Sequence, residues 1–351
     1  MTMSPWSRRR PAGRALAAMG VASALVMGAA LPANAFGTIG ELAEHERITR
    51  AALGCGANNA VADCLQPVSL DQVAGKRGTF GAVGSPDNPL TGEIFTSAAH
   101  CDNADYLAAH EYRPEDRQRA TTALLDCVRH AREMVRQAVQ RAAGLLDGQD
   151  RIEAGQVSLG SDCSFNRIPG RVKCDVFESF GRALHAVQDF YSHSNWTDRA
   201  PHGPVTEHHP PGLGHDGISP LFDLFGPEPG AGNVDDRLTT GCFDALAAGS
   251  GERLGCIERG NTRIKHAWLN KDTGVIDPVS GATSCHHDGR NVCTARGQVD
   301  DNFAHAVRGA IADSRRQWTG LMANIRQTYP GVRGDRIICA LAHDDPTTTC
   351  Q

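Results

Sequence analysis

His185, Asp189 and His193 recur at every fourth position in the run from Gly181 to Trp196, Gly-Arg-Ala-Leu-His-Ala-Val-Gln-Asp-Phe-Tyr-Ser-His-Ser-Asn-Trp. At about 100° per helical residue, positions i, i+4 and i+8 fall within an arc of roughly 80°. The three side chains therefore form a column on one helix face. At about 1.5 Å rise per residue, the two histidines lie roughly 12 Å apart along the axis. Zinc–nitrogen bonds are about 2.0–2.1 Å, so one ion cannot take both from a regular helix. The column points to more than one metal, with Asp189 between the sites. Leu184, Val187 and Phe190 interleave with it, which suits a buried helix better than two structural histidines and a solvated aspartate.

Twelve cysteines form the second constraint, at 55, 64, 101, 127, 163, 174, 242, 256, 285, 293, 339 and 350. An even count in an exported chain implies disulfides, and the absence of any C-x-x-C pair argues against a thiolate zinc site. Pairing each cysteine with its neighbour gives six local loops: 55–64, 101–127, 163–174, 242–256, 285–293 and 339–350. Export itself is read from the N-terminus. Arg8, Arg9, Arg10 and Arg14 precede an apolar stretch over 15–31, and Ala33-Asn34-Ala35 is an A-x-A cleavage site. Residues 1–35 are thus expected to be a signal peptide cut before Phe36, leaving a secreted or periplasmic chain. No second apolar span follows, so no transmembrane segment is expected in the mature protein. Removing four arginines and no acid takes the formal charge from −5 to −9. An acidic balance speaks against wide nucleic-acid contacts.

Periodicity is helical wherever it exists. It predicts helices over 38–53, 114–147 (opened by Pro114-Glu115-Asp116), 175–194 and 300–328, joined by long Gly/Pro-rich loops at 197–235 and 273–299. Convincing alternating strands are absent. The expectation is an all-α domain over 36–328, with long disulfide-tied loops and a disulfide-tied tail over 329–351.

Further ligand-capable residues lie on these elements: His45, Asp87, the cluster His100, Asp102 and Asp105, and then His266, Asn270 and Asp272. Each has an ordinary alternative. His45, among Glu44, Glu46 and Arg47, looks like a surface helix residue; Asp87 before Pro89 suits an Asx turn. Asp102 and Asp105 read as turn caps or supports for His100. The loop histidines His202, His208, His209 and His215 read as solvated.

The order of these residues, and the 181–196 block above all, resembles the zinc-dependent phospholipase C and single-strand nuclease superfamily, most closely its Het-C-like branch. The resemblance runs over residues 36 to about 328 and implies an all-helical fold with three zinc ions. It implies that the freed terminus of Phe36 binds zinc with His45 and Asp189, though the family often has Trp at that terminus. A second zinc would take Asp87, His100, His185 and the bridging Asp189. A third would take His193, His266 and a later side chain. The family places an acid four residues after that histidine, where this chain has Asn270; Asp272, at six, is slightly preferred. The implied activity is a secreted zinc phosphodiesterase, most readily phospholipase C-type cleavage of a phospholipid headgroup ester by a metal-bridging hydroxide, with Asp87 orienting or deprotonating that water and with peripheral membrane contact. One alternative is a single-strand-specific zinc nuclease or nucleotidase, for which Tyr106, Tyr191 and Trp196 could line a base pocket. Another is a Het-C-like toxin or recognition protein with purely structural zinc.

Overall fold

The structure is a computed structural model that describes residues 1–2, 37, 42–108, 116–199, 203–243, 255–258 and 260–350. The expected signal peptide, the cleavage site, Phe36 and His202 lie outside these residues. All described residues except 1–2 belong to one unit, Leu31–Gln351.

Helix α6, Val172–His193, organises this unit. Every residue from Val176 to His193 is buried. A helix enclosed on all sides needs an apolar majority and a partner for each polar group it carries. Phe177, Phe180, Leu184, Val187 and Phe190 supply the first requirement; of the polar side chains, Arg182 pairs with Glu178 and Glu93, and those from His185 to His193 build the site. Packed against α6 are α2 (Pro67–Ala74), α3 (Ser97–His100), α4 (Arg117–Ala142) and α8 (Asn302–Thr328). α4 opens with the Asp116 carboxylate accepting from the backbone N–H of Arg119 at 2.8 Å, the ordinary N-cap bond. Against α8 lie α1 (Glu44–Leu53) and α9 (Val332–Ala342). Phe180 meets Trp318 of α8 in the core.

The four expected helices are present within a few residues of their expected limits, apart from positions 38–41 and 114–115, which are not described. Two helices were not anticipated, α2 and α9. α9 turns the expected tail into a packed element through buried Ile337, Ile338 and Leu341. Single-turn helices also occur, α5 at Ala154–Val157, α7 at His266–Leu269 and α10 at Pro346–Thr349. The protein is mostly helical rather than wholly so. Three two-residue hairpins pair Ile257–Glu258 with Asn261–Thr262, Val275–Ile276 with Thr283–Ser284, and His286–His287 with Arg290–Asn291. All six nearest-neighbour disulfides form, and no described cysteine is free. Such a set fits an oxidising, extracellular setting. Among the described residues no helix is long and apolar enough to cross a membrane.

Candidate metal centre

The column on α6 splits into two clusters, as its 12 Å span requires. At the first, Asp189 Oδ2 lies 3.0 Å from His185 Nε2 and 3.1 Å from His100 Nδ1, and these two nitrogens are 2.9 Å apart. Asp87 Oδ1 stands 3.7 Å from His185 Nε2 and 3.8 Å from His100 Nδ1. The other Asp189 oxygen, Oδ1, lies 3.1 Å from His45 Nε2. Asp189, His45 and His185 are wholly buried, contrary to the surface position that His45's charged neighbours suggested.

These elements converge for local reasons. A methyl group at Gly181 would lie 2.4 Å from the Ala82 carbonyl carbon. Only glycine lets that chain approach α6, and it brings the 3₁₀ turn Ser85–Asp87 to the column. His100 ends α3, and Cys101 follows at φ 54°, in the left-handed region. The Cys101–Cys127 disulfide fastens this turn to α4. His45 is aimed by Gln188, whose Oε1 accepts from its Nδ1 at 2.7 Å while the Gln188 amide donates to Thr49 and Ser314 at 3.1 Å each. Gly37 is tied in too, its carbonyl accepting from His45 N and its N–H donating to the Asp272 carbonyl. The chain one residue beyond the expected Phe36 terminus therefore lies against both clusters.

The second cluster sits at the end of α6. His193 Nδ1 is 2.9 Å from Asp102 Oδ1 and 2.9 Å from the His100 carbonyl. Its other nitrogen, Nε2, is 3.5 Å from Asp272 Oδ1, and His266 Nε2 is 3.5 Å from Asp272 Oδ2. The two imidazoles meet edge to face at 4.3 Å. A methyl group on Gly241 would lie 2.2 Å from the His266 Cα, so glycine again permits the approach. Cys242, half of a disulfide, accepts from His266 N through its carbonyl at 2.9 Å. Between Asn270 and Asp272, the buried Lys271 donates to the carbonyls of Ser194 and Leu269 and pairs with Asp198, which also pairs with Arg296. This network pins Asp272 under the helix end, where Ser192 Oγ donates to it at 2.5 Å.

These donor sets suit a cation. Ligands held tetrahedrally at about 2.0–2.1 Å lie roughly 3.3 Å from one another; the first-cluster atoms lie 2.9–3.8 Å apart. His45, Asp87 and His185, then His100, His185 and Asp189, and also Asp102, His193 and His266, converge closely enough to hold ions. Buried Asp87 Oδ2 and Asp272 Oδ2 make no hydrogen bond, an arrangement that costs stability unless something else meets them. Electrostatics agree. Burial opposes charge on Asp189, but His185, His100 and His45 hold its carboxyl well below the usual range. Burial likewise works against charge on His100, yet Asp189 and Asp87 lift it to about 9. His193 is raised well above 6.5 against its burial, chiefly by Asp102. A cation would take over the role that these protons fill.

Among the expected ligands, Asp272 is the one that faces both His193 and His266. Asn270 offers its amide 3.4 Å from His266 Nδ1. Asp102 departs from the sequence expectation: neither a turn cap nor a support for His100, it meets His193. Its contact is to Nδ1, which leaves Nε2 aimed at Asp272, the carboxylate–histidine arrangement that orients a ligand. Asp105 pairs with Arg263 instead. Sequence reasoning missed Gln188 and Ser192, whose one signal is a polar residue directly before Asp189 and directly before His193. The loop histidines His208 and His215 stack on Trp268 and Trp196 and join neither cluster. Cys339, His343 and Cys350 also lie close together, but both sulfurs are spent in a disulfide. No protein-family model, curated protein or solved structure matches this chain.

Proposed function

We propose that this protein is a secreted, zinc-dependent phosphodiesterase with the helical fold of the phospholipase C and single-strand nuclease superfamily, acting on a phospholipid headgroup ester. One observation carries the reading: the Asp189 carboxylate is sunk in the core among His45, His100 and His185, with both oxygens engaged. Two ions would be held by His45, Asp87, His100, His185 and the shared Asp189, with the Phe36 terminus completing the set; a third would be held by His193, His266 and Asp272. When bound, zinc supplies polarisation of phosphoryl oxygens and a pKa for water lowered from 15.7 to about 7. The chain's own contribution is orientation and proton handling. Asp87 Oδ2, without a hydrogen bond, is the oxygen free to receive a proton from an attacking water. Asp189 is committed to three imidazoles and serves to fix their spacing. Tyr191 and Trp196 are buried, the Tyr191 hydroxyl donates to Asp313, and Tyr106 packs partly buried on the core with the Arg117 guanidinium 4.9 Å from its ring, so none of the three offers the open stacking face that a polynucleotide needs. That supports lipid over nucleic acid.

A second reading has its own support. Such deep enclosure of the ligands also suits a closed, structural zinc cluster in a non-enzymatic recognition protein. Metal analysis of the secreted chain, with paired assays on phosphatidylcholine and single-stranded DNA, separates the cases. Three zincs with lipid turnover is the expected result. DNA turnover would promote the nuclease, and three zincs with neither activity would leave the structural role.

A further inference from the structure

His305, Arg308, Ala312 and Arg315 fall on one face of α8, since offsets of 3, 7 and 10 residues stay within an arc of roughly 80°. All four line a cavity of about 390 Å³ whose other wall is His215 to Gly217 and Ser280 to Gly281. None of these residues belongs to either metal cluster. The cavity falls within the range of small-ligand sites, about 300–1,000 Å³.

Its charge is unusual for an acidic chain. Arg308 donates to the neutral ring nitrogen His305 Nδ1 at 2.8 Å, and Arg315 donates to the Ala51 carbonyl at 2.7 Å. Neither guanidinium has a carboxylate partner among the described residues. Asp216, the one acid of the lining, is engaged by Arg199 at 2.9 Å and lies 3.7 Å from His305. Arg315 Nε and His215 Nε2 make no hydrogen bond. Donors thus outnumber acceptors around a concave space. The two guanidinia start about 10 Å apart along the helix, with only Gly309, Ile311 and Ala312, all uncharged, lining the cavity between them. Planar guanidinium forks match phosphate oxygens two at a time, and an unneutralised pair favours a dianion over a single carboxylate.

We infer that this pocket binds a small phosphoryl-bearing anion, gripped by Arg308 and Arg315 and separate from the metal centre. The test is titration of the full secreted, zinc-loaded chain with inorganic phosphate, followed by calorimetry, in wild type, Arg308→Gln/Arg315→Gln and Ala312→Trp. Losing one charge-assisted bond costs roughly 10–100-fold in affinity. The double variant should therefore lose one phosphate-binding class at least tenfold, with zinc content unchanged. Ala312→Trp keeps both charges and fills the space, so it should lose the same class, and it decides the matter if the double variant fails to fold. A wild-type isotherm in either folded variant overturns the proposal. So does a wild-type chain that binds phosphate only at its metals.

Discussion

The two clusters share one helix and are built in different ways. The first draws its groups from α1, the Ser85–Asp87 turn, α3 and α6, all packed into the helical core. The second has His193 from the end of α6, but His266 opens the single turn α7 and Asp272 lies in the irregular chain that follows it. There, a disulfide at Cys242 and the buried Lys271–Asp198–Arg296 network do the work that helix packing does elsewhere. In the first, carboxylates sit at the centre and imidazoles surround them. In the second, each carboxylate touches a different edge of His193. A core cluster should therefore fail as a unit, and a loop cluster one group at a time.

The sharpest way to break that contrast is Asp189→Ala. Under the proposed function it should remove the two zinc ions assigned to the first cluster and all phosphodiesterase turnover, while the ion assigned to the second remains. Zinc analysis and an activity assay on the purified variant read this directly, and a fully loaded, active variant would sink the scheme. Next in size, Asp272→Ala should empty only the second cluster, whereas Asn270→Ala should leave its zinc in place. The reverse result would favour the spacing of the superfamily that the sequence resembles, from which Asp272 departs by two residues. Asp102→Asn should be milder. It keeps a partner for His193 Nδ1 but weakens it, lowering second-cluster affinity roughly 10–100-fold with no loss of ions at saturating zinc.

The smallest effect is a difference in pH slope. His45 and His100 are both raised by Asp189 against their burial, His100 to about 9, while burial keeps His185 lowered. Zinc must displace the protons that the raised groups carry. Below pH 9 the affinity of the first cluster should therefore fall with falling pH for His100, and more steeply once His45 is also protonated. Each displaced proton is worth about tenfold per pH unit. The second cluster has one such histidine, His193, and should follow a single-proton slope. Proton release measured by calorimetry in buffers of different ionisation heat compares the two.

Much of the molecule is legible in its sequence, and the parts that are not have physical reasons. The α6 column is readable because a buried helix leaves its polar residues as exceptions in an apolar pattern. The disulfides are readable because short loops close at low entropic cost. α2 is short, and α9 owes its burial to α8, so tertiary packing decides both. His45 misleads because two of its charged neighbours face elsewhere, Arg47 donating to the Ile276 carbonyl and Glu46 pairing with Arg50, while the third, Glu44, is buried with it and accepts from Gly274 N. Asp102 cannot be placed without the left-handed turn at Cys101, which sends it away from His100 and towards His193.

That turn makes the tripeptide His100-Cys101-Asp102 a second backbone link between the two clusters, beside α6 itself. His100 serves one cluster and Asp102 the other, and the residue between them is bonded to α4. Exposed loop tips generally accept insertions and deletions. Here, deleting or adding a single residue would exchange the addresses of two side chains and release the bond that holds them. An insertion scan of the loops and turns should therefore find its most intolerant site at Cys101.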